Sequence, residues 1–321
     1  MSGPSGPVDA TGEREGPSTD ALDLRGPSTD APWVDPPMLA VRDAVSRALA
    51  EDLLPLGDLT ASLVPEAAHA RMALVARSEG VVAGRLCVIE TFFQVDPAVE
   101  VEWLLPDGTR VSPGDVLAEL SGPLRSILSA ERTALNFVCH LSGVATTARR
   151  FVDQVAGVNG GTRVLDTRKT TPGLRSLQKA AVRAGGAWNH RGNLSEAVLV
   201  KDNHLGGLGI AEAVALARHR WPGRQVEVEC DRLDQVRESL VAGASAVLLD
   251  NMTPEEVSAC MAMVRSDPAG RGMLVEASGG MTLETVALYA AAGVDLVSVG
   301  AITQSAQAMD IGLDLLEDEI R

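Results

Sequence analysis

The stretch VLDTRKTTPGLR, residues 164–175, sets Arg168 and Lys169 side by side directly after a short apolar run. His190 and Arg191 follow in GGAWNHRGNL, and Lys201 opens KDNH after the apolar run AVLV. Carboxylates take over further along: Glu229 ends QVEVE, Asp250 ends AVLLD, and Glu276 lies next to the end of MLVEA. Cations carried by the first exits can hold an anionic ligand. Carboxylates carried by the later ones can hold a metal ion or face a developing positive charge in the same pocket. Only three of the 28 basic residues are lysines, and all three (Lys169, Lys179, Lys201) fall in this part of the chain. A compact ammonium does what a guanidinium cannot, so the choice of lysine suggests chemistry beyond charge alone.

The 321-residue chain has a net charge of -15, yet residues 125–201 hold twelve Lys or Arg against four acids. That segment carries +8 and the remainder -23. A basic island in an acidic protein suits a small anion and argues against nucleic acid, which would need a basic face. No apolar run reaches the roughly 20 residues needed to span a membrane, and the start lacks the pattern of a signal peptide, so a cytoplasmic protein is expected. Cys87, Cys139, Cys230 and Cys260 are widely spaced without a CxxC pair, and are expected as buried free thiols.

These residues need elements to position them. Residues 1–37 are rich in Gly, Pro, Ser, Thr and Asp, repeat GPSTDA, and read as a disordered tail. An amphipathic helix is expected over MLAVRDAVSRALAEDL, with Leu39, Val45, Leu49 and Leu53 inward. Residues 70–120 read as short antiparallel strands with tight turns at Asp107-Gly108 and Pro113-Gly114. A long helix follows, with Arg132, Asn136 and His140 opposite its apolar stripe. Six apolar runs then alternate with helical segments, which indicates a parallel sheet. Only a barrel gathers the charged ends of six strands around one centre, and six strands make it incomplete. The glycine-bearing exits EASGG (276–280) and SVGA (298–301) are expected to offer backbone N–H groups to phosphate at helix starts.

In this order, ERTALNF, DTRKTTPGLR, GGAWNHR, KDNH, LLDNM, EASGG and GVDLVSVGA resemble the quinolinate phosphoribosyltransferase family, from about residue 38 onward. The resemblance implies an α/β protein: an N-terminal open α/β sandwich (38–138), an incomplete, about six-stranded α/β barrel (139–298) and a final segment (299–321) packing back on the sandwich. The implied reaction joins quinolinate to phosphoribosyl pyrophosphate with loss of CO2, giving nicotinate mononucleotide. Quinolinate would then meet Arg132, Thr167, Arg168, Lys169, His190, Arg191 and Lys201. Phosphoribosyl pyrophosphate would meet Lys169, Lys201, Glu229, Asp250, Ser278, Gly279, Gly280, Gly300 and Ala301. Lys169, Lys201, Glu229 and Asp250 are the implied catalytic set. Mg²⁺ would be held by Glu229 and Asp250 through water and substrate, with no organic cofactor. Arg132 is implied to reach a neighbouring subunit's site, so a homodimer or larger homo-oligomer is expected. The chain departs from the family pattern at Gln178, Trp188, Gly192 and Gln304. A ModD-like phosphoribosyltransferase relative whose substrate the sequence does not specify, a barrel aldolase using Lys169 or Lys201 as a Schiff-base amine, and a non-catalytic nucleotide-binding protein are the alternatives.

Overall fold

A computed structural model describes residues 35–158 and 161–316. The first helix, α1 (Met38–Leu53), buries Val41, Ala44, Val45 and Leu49. Leu39, expected inward, is 81% exposed. Two positions at about 100° each set it opposite Val41, so it falls outside the stripe that closes on the core. Residues 1–34 of the expected tail lie outside the described residues. Its last part is anchored: Asp35 accepts a hydrogen bond from Arg85 at 3.2 Å, and its carbonyl accepts one from Arg183 at 3.3 Å.

The turn-rich region forms β1 (His69–Ala76), β2 (Gly80–Val81), α2 (Arg85–Val95), β3 (Glu100–Trp103), β4 (Arg110–Val111) and β5 (Val116–Pro123). Gly108 (φ 98°) and Gly114 (φ 97°) adopt the left-handed conformation that the two predicted turns require. The last described strand, β12 (Ile311–Leu315), returns to this lobe and completes an antiparallel sheet in the order β12-β1-β5-β3. Leu74, Phe92, Leu117, Leu120 and Ile127 fill the core of this lobe.

Helix α3 (Leu124–Ala156) runs 33 residues without a break and serves both lobes. Ile127, Leu135 and Val138 pack with the sandwich, while Val144, Ala148 and Phe151 pack with the barrel. Where the chain returns toward β12 it crosses α3 at Gly143. A Cβ there would lie 2.0 Å from the Gln307 carbonyl oxygen. Alanine in place of glycine normally stabilises a helix. Gly143→Ala should instead destabilise the protein by about 3 kcal/mol, because backbone must move. Urea denaturation reads this directly, and a stabilised variant would show that the crossing yields.

The barrel strands are β6 (Arg163–Leu165), β7 (Val198–Val200), β8 (Val226–Cys230), β9 (Ala246–Asp250), β10 (Leu274–Ser278) and β11 (Leu296–Ser298). They form a parallel sheet in the order β6-β11-β10-β9-β8-β7. The connecting helices are α4 (Arg175–Ala184), α5 (Asp202–Leu205), α6 (Ile210–Arg220), α7 (Leu233–Val241), α8 (Pro254–Ser266), α9 (Val286–Ala291) and α10 (Ala301–Gln304). The ladder stops between β6 and β7, so the ring is incomplete. Trp188 lies along that edge of β6: its amide donates to the Val164 carbonyl at 2.8 Å, and its carbonyl accepts from the Asp166 amide at 3.1 Å. Its ring takes the Arg163 guanidinium at 4.5 Å. The bulky departure from the family pattern therefore covers an exposed strand edge.

Candidate active site

Side chains alternate faces along a strand. In β8, Val226, Val228 and Cys230 pack outward into the apolar core, and Glu227 and Glu229 face the barrel interior. The strands are thus not apolar on both faces, as the sequence suggested. Parallel register aligns the inner residues in levels: Glu229 stands opposite Leu248, Ser278 opposite Asp250, and Ser298 opposite Leu165.

At the C-terminal ends of the strands lies a cavity of about 360 Å³. Thr167, Arg168, Lys169, His190, Arg191 and Lys201 line it together with Glu229, Asp250 and Ser278. Six residues from three separate loops therefore meet three from β8, β9 and β10. Gly279, Gly280, Gly300 and Ala301 are not part of that lining. They flank it: a Cβ at Gly300 would lie 3.1 Å from Cδ of Lys169, and one at Gly279 would lie 2.2 Å from Oδ1 of Asn251. Only one of the two glycine exits runs straight into a helix, since α10 begins at Ala301 but α9 begins only at Val286. Glu276 belongs to the middle of β10 rather than its end, and is 1% exposed on the cavity floor. Arg132 is exposed on α3 and does not line the cavity of its own chain.

Charge inside the cavity is arranged in two ways. Lys201 and Glu229 form a direct ion pair. Arg168 and Arg191 lie near enough to repel each other, and among the described residues neither is in a direct ion pair, although Glu227 partly offsets the repulsion at Arg191. Burial first, and Arg168 second, hold the Arg191 guanidinium below its ordinary pKa. Nε of Arg168 is buried without a hydrogen-bond partner. Two close guanidinium groups, one with an unused donor, form a site that an anion would complete.

The loop carrying His190 and Arg191 hangs from a buried network that sequence reasoning missed. Asp166 is fully buried and accepts from Lys179 Nζ (2.6 Å), Asn189 Nδ2 (2.9 Å) and the His190 amide (2.8 Å). Lys179 also donates to the His190 carbonyl at 2.7 Å. Lys179, the remaining lysine of the basic island, is turned inward onto Asp166. Burial pushes the Asp166 carboxyl up and the Lys179 ammonium down, and each group opposes the shift in its partner. Gln178, one of the departures from the family pattern, is fully buried as well. It accepts from the Thr171 amide at 2.9 Å, donates to the Thr303 carbonyl at 3.1 Å, and meets His140 Nε2 at 3.0 Å. Burial lowers the His140 pKa, so an uncharged amide suits this partner better than a carboxylate.

Burial, then the neighbouring Glu227, push the Glu276 carboxyl up from 4.5 to about 7. Between those values the folded protein keeps a proton that the unfolded chain has released. Stability therefore falls as pH rises through that window, and the loss is complete above it. Glu276→Gln cannot ionise and should flatten the fall. Urea midpoints at about pH 5 and about pH 8 test this, and an unaltered difference in the variant would assign the pH dependence to other groups.

Residues 58–142 match the family described as Quinolinate phosphoribosyl transferase, N-terminal domain, and residues 144–314 match its C-terminal domain. The nicotinate-nucleotide pyrophosphorylase [carboxylating] of Mycobacterium leprae is 42% identical over 281 residues, which cover 86% of this chain and 97% of that one. The human protein of the same name is 38% identical over 262 residues, covering 81% of this chain and 87% of that one. The solved nicotinate-nucleotide pyrophosphorylase of Francisella tularensis, 37% identical, superposes with a TM-score of 0.83 over 88% of this chain and 98% of that one. Matches that together span both lobes, over residues 58–142 and 144–314, place this chain in the quinolinate phosphoribosyltransferase family.

Proposed function

We propose that this protein transfers the phosphoribosyl group of phosphoribosyl pyrophosphate to quinolinate and releases pyrophosphate, CO2 and nicotinate mononucleotide. The observation that carries this is the unused buried donor of Arg168 opposite Arg191, in a cavity that also holds Lys169 and the Lys201–Glu229 pair. Quinolinate brings two carboxylates, and each charge-assisted hydrogen bond contributes about 1.5 to 3 kcal/mol toward their desolvation. Arg168 and Arg191 are assigned to these carboxylates, with Thr167 beside them. Lys169 and Lys201 face the pyrophosphate, with Ser278, Gly279, Gly280, Gly300 and Ala301 flanking the phosphate end.

The pyridine nitrogen attacks the anomeric carbon of the ribose as the bond to pyrophosphate breaks, and positive charge builds on the sugar ring. Glu229 and Asp250, which line the cavity, are assigned to stabilise that charge and to take the ribose hydroxyls. Lys169 neutralises the departing oxygens. The 2-carboxylate then leaves as CO2, its electron pair drawn toward the pyridinium nitrogen, and the ring carbon takes up a proton. Two carboxylates at one rim form an all-oxygen donor set, which suits Mg²⁺ shared with substrate phosphates. Asp250 and Glu229 would hold it through water, and it would supply further charge neutralisation at the pyrophosphate. A Schiff-base aldolase fits less well, because Lys201 is engaged by Glu229 in a direct ion pair rather than free to attack a carbonyl.

Arg132 is assigned to the partner subunit's cavity in a homodimer. Leu54, Leu56, Leu59 and Leu63 are 65–83% exposed on the loop after α1. That loop is tied to the Arg132 end of α3 by Ser129–Asp58 at 3.1 Å. An apolar patch beside an outward arginine suits a contact with a second copy. Among the described residues no helix is long and apolar enough to cross a membrane, and four free thiols suit the reducing cytoplasm. With quinolinate, phosphoribosyl pyrophosphate and Mg²⁺, the protein should form nicotinate mononucleotide, pyrophosphate and CO2 in equal amounts. Product from a different acceptor base alone would replace this assignment.

A further inference from the structure

The reaction described above leaves two carboxylates unused. Glu227 and Glu276 lie inside the barrel, 9% and 1% exposed, and both approach His190: Nε2 is 3.3 Å from Oε2 of Glu227 and 3.6 Å from Oε2 of Glu276. A second cavity of about 320 Å³ opens at the other end of the barrel and shares His190, Arg191 and Glu276 with the first. These three residues are therefore the partition between the two openings.

The opposite edge of the His190 ring is also engaged. Nδ1 accepts the Arg191 amide hydrogen at 2.8 Å. A nitrogen that accepts carries no proton, so the ring proton belongs on Nε2, toward Glu227 as the nearer carboxylate. Two consequences follow. The three groups are close enough for a metal ion, with ligand atoms within 4.8 Å of one another. A ring protonated at Nε2, however, has no lone pair there for a metal. It also has no second N–H for a substrate carboxylate, which alters the expected role of His190 as a direct quinolinate ligand.

We propose that Glu227 and Glu276 are positioning residues: by fixing His190 in the Nε2–H form they fix the Arg191 amide, and through it the place of the guanidinium that grips quinolinate. Arg191 is held from its far end as well, because its Nη1 donates to the Ala197 carbonyl at 3.0 Å. Its approach to the cavity is thus set by one hydrogen bond at the backbone and one at the side chain. Glu227, at 3.3 Å, supplies the acceptor, and Glu276, at 3.6 Å, adds negative charge beneath the ring without a hydrogen bond to it. One oxygen of Glu276 remains without a partner, which leaves its other oxygen as the contact to His190.

The proposal rests on the assignment of Arg191 to a substrate carboxylate, and its test separates the two. Long-range proton–nitrogen NMR of the full-length protein, with His190→Gln to assign the signals, should show the Nε2–H tautomer at about pH 8. This measurement needs no substrate, so it stands even if quinolinate proves to be the wrong acceptor. An Nδ1–H tautomer in the wild type would overturn the proposal. So would stoichiometric Zn²⁺ binding lost in Glu227→Gln. In steady-state kinetics, Glu227→Leu should raise KM for quinolinate about tenfold while KM for phosphoribosyl pyrophosphate changes little. Glu227→Gln, whose amide oxygen still accepts the Nε2 proton, should recover most of that loss. Equal weakening toward both substrates, or no rescue by glutamine, would mean the carboxylate only packs. Should Glu227→Leu fail to fold, the wild-type tautomer and the glutamine variant still decide the question.

Discussion

Alanine at Arg132 should lower turnover about 100- to 1000-fold, the usual cost of removing one preorganised charged donor, although this arginine lies outside the cavity of its own chain. Lys169→Ala should be as severe for a different reason: its side chain lines the cavity itself, where it is proposed to neutralise the leaving pyrophosphate. Mixing the two inactive variants tells a contribution in trans from one in cis. If Arg132 serves the partner's cavity, each mixed dimer holds one site with both lesions and one with neither. An equal mixture that reassorts freely should then regain about a quarter of wild-type activity. If Arg132 acts within its own chain, every site stays defective and nothing is regained. Arg132→Lys is expected to recover little, because an ammonium cannot reproduce the forked contact with a carboxylate.

Removal of Lys179 is expected to have the largest effect on stability. Its ammonium lies 2.6 Å from a fully buried Asp166, so Lys179→Ala strands a buried carboxylate without its direct ion-pair partner. Breaking a buried pair in this way costs about 3 to 5 kcal/mol. Lys179→Met combined with Asp166→Leu removes both charges, and should regain much of the stability because neither desolvated group remains. The double variant should still bind quinolinate poorly, since the His190 amide has lost its acceptor and the loop carrying Arg191 has lost its anchor. Urea denaturation and KM for quinolinate must therefore part company in the double variant. Full recovery of both would limit the pair to a packing role.

Much of the architecture was legible before any coordinates. The runs at β6 to β11 are short, apolar and separated by helical segments, and that alternation alone implies a parallel sheet. The cavity residues were legible for a related reason: each charge at Arg168, Lys169, Lys201, Glu229 and Asp250 follows or ends such a run, and exits of parallel strands converge at one end of a barrel. Glu227 was overlooked although VEVE carries its signal. A period of two puts it on the same face as Glu229, one level deeper, but nothing local says that this face looks into a polar lumen rather than an apolar core. Lys179 shows the opposite limit. It lies among the cations in sequence, while its helix turns it toward Asp166, thirteen residues back.

By itself the sequence determined the kinds of element, the strand exits that bear charge, and a surplus of cations suited to an anion. These depend on periodicity and neighbour identity, which act over a few residues. Tertiary structure alone decided that β6 lies beside β11 and stays open toward β7, that Trp188 covers that edge, and that His190 is held between two carboxylates and the Arg191 amide. Those outcomes follow from which distant segments exclude water from one another. Burial sets the cost of a charge and hence its choice of partner, and no local pattern encodes it.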